Sequence, residues 1–213
     1  MQPVRPVTLW DPKVSLEPLT AAHADALWQT VSGPRDTFVL TRVPASLEAM
    51  RAYVELALEE QARGVSLPFV TRSAEDGQIV GSTRFLTIER WTWAPAHPMQ
   101  RAPGCADAVE IGATWLAPAA QRTAINTHAK LLMLTHAFEA WEVLRVTLKT
   151  DARNLRSRAA IERIGARHDG VLRAHMPAFD GAVRDTAFYS IVASEWPAVK
   201  AKLASRIAAS GKP

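Results

Sequence analysis

EIGATWLAPAAQRTAIN, residues 110–126, is the stretch whose reading decides the fold. It begins as a strand, Ala108–Leu116, and breaks at Leu116-Ala117-Pro118. Proline lacks an N–H and cannot continue a ladder. After a tight turn a helix opens near Ile125 and continues to Trp141, with Leu131, Leu134, Phe138 and Trp141 on its buried side. A strand that runs into a helix N-terminus presents unpaired N–H groups and a positive dipole end. That arrangement binds phosphate.

Working outward, the downstream block TDARNLRSRAAIERIGA, Thr150–Ala166, follows a β-branched strand at Leu144–Lys149. Asn154 is a good N-cap for a helix over Leu155–Ile164, which Gly165 stops. A hairpin turning at Asp180-Gly181 joins strands near Val171–Phe179 and Val183–Val192, and a surface helix covers Glu195–Ala209. Upstream, Pro3, Pro6 and Pro12 predict an extended arm over residues 1–12. Val14–Leu19 alternates like a strand, Thr20 caps a helix over Ala21–Ser32, and Ser46 caps another over Leu47–Arg63. Strands Ser66–Arg72 and Gln78–Ile88 join through Asp76-Gly77, and Ala94–Ala106 is a Pro-rich loop. The order β-α-α-β-β-β-α-β-α-β-β predicts an α/β sheet layered with helices. No internal repeat or second-domain linker interrupts it, so residues 1–213 are expected to form one domain, with 194–213 as C-terminal helix and tail.

The two blocks, in this order and spacing, resemble the GNAT superfamily of acetyl-CoA-dependent N-acetyltransferases. Within it they are most similar to the RimJ/RimL-like branch, which acetylates protein N-termini. The resemblance covers nearly all of the chain and implies the GNAT fold, a mixed, mostly antiparallel twisted sheet flanked by helices. It also implies that a loop patterned Gln/Arg-x-x-Gly-x-Gly/Ala holds the CoA pyrophosphate on its backbone amides. Here that loop is Gln121, Arg122, Thr123, Ala124, Ile125 and Asn126, with Ala124 and Asn126 in the two glycine positions. Alanine adds one methyl, and Asn is the non-Gly residue best tolerated at positive φ. Arg122 offers a charge for phosphate. By the same resemblance Asn154 meets pantetheine, and Ser157 lies near the sulfur and protonates the departing thiolate. Main chain near Thr114, Trp115, Leu116 and Ala117 pairs with pantetheine as an added strand would.

Acetyl transfer needs a neutral amine, so something must accept a proton. Glu110 is the candidate base. Strict alternation puts it on one face with Gly112 and Thr114, and puts Val109, Ile111, Ala113 and Trp115 on the other. An exposed strand face would explain the same glutamate without catalysis. Ser157 doubles as a helix-cap residue in the structural reading, and Tyr189 could replace it as acid, though packing explains Tyr189 as well. Trp91 and Trp93 are read as lining an acceptor groove with the Pro-rich loop, or as packing. The run Arg153, Arg156, Arg158, Arg163 suits a solvated face better than a cofactor phosphate.

The composition constrains the setting. Hydrophobic residues make up 48% and charged residues 22%, ordinary values for a globular protein. A net charge of +4 argues for no nucleic-acid partner. No run spans a bilayer, and no secretory pattern opens the chain, so a cytoplasmic protein without a membrane partner is expected. The lone Cys105 excludes an internal disulfide and has no base partner, and no histidine sits at ligand spacing, so no metal is expected. The expected cosubstrate is acetyl-CoA and the expected partner a primary amine such as the N-terminus of a protein, attacked directly in a ternary complex. A small-molecule amine, or a non-catalytic acyl-CoA- or protein-binding domain, is the alternative. A homodimer is one assembly left open.

Overall fold

The structure, a computed structural model, describes residues 1–210; the last three residues of the anticipated tail lie outside them. Eight strands form one sheet: β1 (Leu9–Trp10), β2 (Val14–Pro18), β3 (Leu67–Ser73), β4 (Ile79–Glu89), β5 (Ala108–Leu116), β6 (Arg145–Asp151), β7 (Arg167–Pro177) and β8 (Val183–Val192). Their order is β1-β2-β3-β4-β5-β6-β8-β7. Only β5 and β6 run parallel, so the sheet is mixed and mostly antiparallel. The helices are α1 (Ala24–Gln29), α2 (Leu47–Ala62), α3 (Ile125–Thr135), α4 (Leu155–Arg163) and α5 (Trp196–Ser210).

Helices cover both sides of the sheet, and each side has its own apolar cluster. One gathers Phe85, Ile111, Met133, Trp141 and Leu203, from the sheet, α3 and its continuation, and α5. Phe85 stands with Trp141 at 4.6 Å between ring centroids and with Phe69 at 5.9 Å. Truncating such a fully buried aromatic costs about 3–5 kcal/mol. The other cluster packs Leu27, Met50, Val54 and Val70 under α1 and α2. Being covered on both sides, β3 is buried at Leu67–Thr71 rather than alternating.

Local chemistry sets the boundaries. The helix expected over Ala21–Ser32 shortens to a 3₁₀ turn, Ala21–His23, followed by α1. Thr30 and Ser32 turn their hydroxyls back onto the carbonyls of Leu27 and Gln29, at 2.7 and 3.3 Å, which competes with continuation. The Ile125–Trp141 helix keeps its length but changes pitch, with a π-helical turn at His136–Ala140. At both Asp-Gly turns the glycine takes positive φ, 70° at Gly77 and 81° at Gly181, where a side chain would be strained. The N-terminal arm is anchored: Leu9 and Trp10 pair with Leu16 and Ser15, and the Gln2 N–H donates to the Ala140 carbonyl at 2.8 Å. No helix among the described residues is long and apolar enough to cross a membrane.

Candidate active site

The parallel pair β5/β6 holds together for only three residues: Ala108 opposite Arg145, Val109 opposite Val146, Glu110 opposite Thr147. Beyond Glu110 the strands part. β5 stays bonded to β4 as far as Leu116, so its other edge is left unpaired from Ile111 onward. α3 and α4 begin beside this fork, and the groove there has a volume of about 1880 Å³. Its lining includes Glu110, Trp115, Leu116, Gln121, Arg122, Thr123, Ala124, Asn126, Asn154 and Ser157. Of the residues singled out from sequence for catalysis or cofactor contact, Ala117 and Ile125 alone fall outside the lining. The Ala117 N–H is taken by the Val80 carbonyl at 2.7 Å, and Ile125 packs against the core.

A bulge in β5 overturns the anticipated facing. Gly112 pairs with Arg84 but Trp115 pairs with Ser82, so β5 carries one extra residue, and Ala113 takes φ 47°. The alternation therefore flips. Trp115 turns into the α1/α2 cluster, away from Val109 and Ile111. Thr114 turns toward α3, where the Lys130 Nζ donates to its Oγ1 at 2.7 Å.

The phosphate loop differs in detail too. The left-handed residue is Arg122, at φ 63°, whereas Ala124 is helical and Asn126 lies in the first turn of α3. Asn126 is thus not used for positive φ, and its Oδ1 is buried with no hydrogen-bond partner. No side chain caps α3 from Ala124. Thr123 Oγ1 accepts from the Ile125 N–H at 3.3 Å, and no hydrogen bond within the described residues occupies the N–H groups of Asn126 and Thr127. Free amides at a helix start beside a cationic side chain fit an anionic group. Gln121 does a structural job: its Nε2 donates to Thr37 Oγ1 at 3.1 Å and to the Leu116 carbonyl at 3.0 Å. Arg156 fastens this corner by donating to the Thr37 carbonyl at 2.6 Å.

Asn154 caps α4, its Oδ1 accepting from the Ser157 N–H at 3.0 Å. Both residues line the groove, and the cap leaves the Asn154 amide nitrogen and the Ser157 hydroxyl unused. Glu110 is 6% exposed, and its Oε2 lies 2.9 Å from Lys149 Nζ on β6. A Cβ at Gly112 would come within 2.8 Å of Glu110 Oε1, so glycine there makes room for the folded-back carboxylate. Tyr189 is fully buried, accepting from Arg158 Nε at 2.8 Å and donating to Glu162 at 3.2 Å. It is a packing residue. Trp91 and Trp93 are absent from the groove lining and fasten the Pro-rich loop instead. The Trp91 N–H and the Trp93 indole both donate to Asp107, at 2.8 and 2.9 Å.

Sequence reasoning missed Lys130, Lys149 and Arg184. Lys130 is 5% exposed, bonded to Thr83 and Thr114 hydroxyls, and has no carboxylate within ion-pair distance among the described residues. Burial pushes its pKa down to about 7. The signal for it was a charge interrupting the apolar face of α3. Lys149 and Arg184 had no signal, since Lys149 finds Glu110 on another strand and the place of Arg184 in the groove follows from strand order.

The Acetyltransferase (GNAT) domain family matches residues 13–167. The chain belongs to the GNAT acetyltransferase family. Over 91 residues it is 35% identical to the putative ribosomal N-acetyltransferase YdaF of Bacillus subtilis (strain 168), a match spanning 43% of this chain and 49% of that protein. The chain thus covers about half the length of this curated relative. A solved structure of a putative acetyltransferase is 33% identical, with a TM-score of 0.79 and 99% of each chain covered. The fold also matches RimJ of Mycobacterium smegmatis, solved in complex with CoA-disulfide, at 23% identity and TM-score 0.78 over 97% of each chain.

Proposed function

We propose that this GNAT protein transfers the acetyl group of acetyl-CoA to a primary amine, and that the acceptor is the N-terminus of a protein. One observation carries the reading. The unpaired edge of β5 and the open amides at the start of α3 lie along one groove that also contains Glu110 and Ser157. Asn126 and Thr127 amides with Arg122 hold the pyrophosphate; the β5 edge and Asn154 hold the pantetheine. The cosubstrate supplies an activated acetyl group as a thioester. Glu110 accepts the proton of the attacking amine, and the Ser157 hydroxyl donates to the departing sulfur. Backbone N–H groups of the fork stabilise negative charge on the reacting oxygen. The name of the B. subtilis relative, a ribosomal N-acetyltransferase, favours a protein acceptor.

The test has two steps. Acetyl-CoA at about a hundredfold excess over Kd is expected to stabilise the protein by about 2.7 kcal/mol. An unmoved melting midpoint would remove the cofactor assignment. Free-thiol release is then followed over N-terminal peptides and pooled small amines. Release with the small amines alone would replace the protein acceptor, and CoA binding without release from any amine would make the domain a non-catalytic binder.

A further inference from the structure

The proposed acceptor end of the groove has a cation left over. In the β5/β6 and β6/β8 registers Glu110 stands opposite Thr147 and Lys149 opposite Phe188. Side chains alternate along strands, so Glu110, Lys149, Phe188 and Arg184 share the sheet face away from α3. The contacts agree: Lys149 Nζ is 2.9 Å from Glu110 and 5.9 Å from the centre of the Phe188 ring. Each carboxylate around the groove already has a cation. Glu110 pairs with Lys149 at 2.9 Å, Glu60 with Arg84 at 3.2 Å, and Asp151 with Arg153 at 2.7 Å.

Arg184 has none. It is half-buried and lines the groove, and its Nε donates to Thr186 Oγ1 at 2.9 Å. Among the described residues, its two terminal nitrogens have no hydrogen-bond partner and its charge no ion pair. Loss of hydration lowers its pKa; Asp151 and Glu110 are near enough to oppose this through space, but both are ion-paired to other cations and neither bonds to it. The Nε bond holds the group and leaves the outer pair of nitrogens without a hydrogen-bond partner, the fork that matches a carboxylate.

We propose that Arg184 binds a carboxylate of the acceptor, so that this enzyme prefers amines carrying a carboxylate close by. In a peptide that carboxylate is an acidic residue next to the N-terminal one; in a free amino acid it is the α-carboxylate. The inference rests on the acetyltransferase reading above and specifies its substrate.

The experiment follows thiol release with peptides that differ only in Asp, Ala or Lys at the second residue, and with an amino acid against its decarboxylated amine. The Asp peptide is expected to exceed the Ala peptide by about tenfold or more in kcat/KM, the scale of a charge-assisted pair. The Lys peptide is expected to be poorest. Arg184→Gln should collapse the Asp-over-Ala ratio toward one through the KM of the Asp peptide, and Arg184→Lys should retain part of it. Equal turnover of the three peptides, or an Asp preference that survives in Arg184→Gln, overturns the role of Arg184 but leaves N-terminal acetylation standing. Failure of every peptide, with an Arg184-dependent preference for the amino acid over its amine, overturns the peptide acceptor but not the anion site.

Discussion

Glu110 and Lys149 close the fork between β5 and β6, with Glu110 Oε2 and Lys149 Nζ 2.9 Å apart just where the strands stop pairing. The pair joins the two strands by side chains after the backbone ladder has ended. It also fixes the orientation of the carboxylate assigned as base, whose other oxygen folds over Gly112.

Glu110→Gln keeps the shape and removes the base. The expected loss in kcat/KM is on the order of 10²–10⁴-fold, the range for a single general base. The deficit should shrink at high pH, where more of the acceptor amine is already neutral. CoA affinity should hold. A pH–rate profile showing the same acidic limb in wild type and variant would leave Glu110 as a strut for Lys149 and no base.

Ser157→Ala is expected to lower kcat more than it weakens acetyl-CoA binding, because the hydroxyl's proposed task arises only as the thiolate departs. The α4 cap should persist, since Asn154 Oδ1 bonds the Ser157 N–H and not its hydroxyl. Steady-state kinetics with calorimetric affinities separate the two effects; a change confined to KM would make Ser157 a binding residue.

Arg122 holds a left-handed φ of 63° beside the proposed phosphate site. Arg122→Gly should leave the unliganded protein as stable or up to about 1 kcal/mol more stable, because glycine adopts this conformation without a Cβ clash. The same change should weaken CoA binding. Arg122→Val should destabilise the fold, since β-branched residues tolerate positive φ least. Denaturant unfolding with and without CoA reads both effects, and stronger CoA binding by the Gly variant would remove Arg122 from the phosphate site.

Lys130 makes stability depend on pH. Its folded pKa of about 7 lies below the unfolded value of roughly 10.4. Between those values the unfolded chain binds the extra proton, so stability rises with pH across the window. Below about pH 7 the full penalty is present, on the order of 5 kcal/mol. Lys130→Met should therefore raise the melting midpoint of the unliganded protein near pH 7. The gain should fade toward pH 10. A constant difference across that range would mean that Lys130 stays charged in its hydroxyl pocket.

Turns, caps and strand–helix order were legible in the sequence because they depend on neighbours within a few positions. Asp76-Gly77 and Asp180-Gly181 set their hairpins, Ser46 and Asn154 capped their helices, and Pro118 ended β5 as its missing N–H requires. The family resemblance drew on the same stretches, and the residues it singled out at the start of α3 and α4 line the groove together with many it did not name. Register lay beyond such reasoning. The one-residue bulge at Ala113 reversed the facing of Trp115 and Thr114, and a bulge is settled by how β5 fits β4, not by its own residues. Trp91 and Trp93 stayed open between groove lining and packing for a similar reason, since their partner Asp107 is brought to them by the path of the Pro-rich loop.

By itself, then, the sequence determined most of the elements, their order and the loop at the start of α3, all written in local propensity and spacing; the β1 pairing at Leu9–Trp10 and the early end of α1 were not. Tertiary structure alone decided which charges meet. Lys149 reaches Glu110 from a strand 35 or more residues on in the chain, Lys130 is buried between Thr83 and Thr114, and Arg184, among the described residues, makes no ion pair with the carboxylates nearby. Pairing, burial and the lack of a counter-ion are properties of distance in space, and distance in space follows from strand order and register.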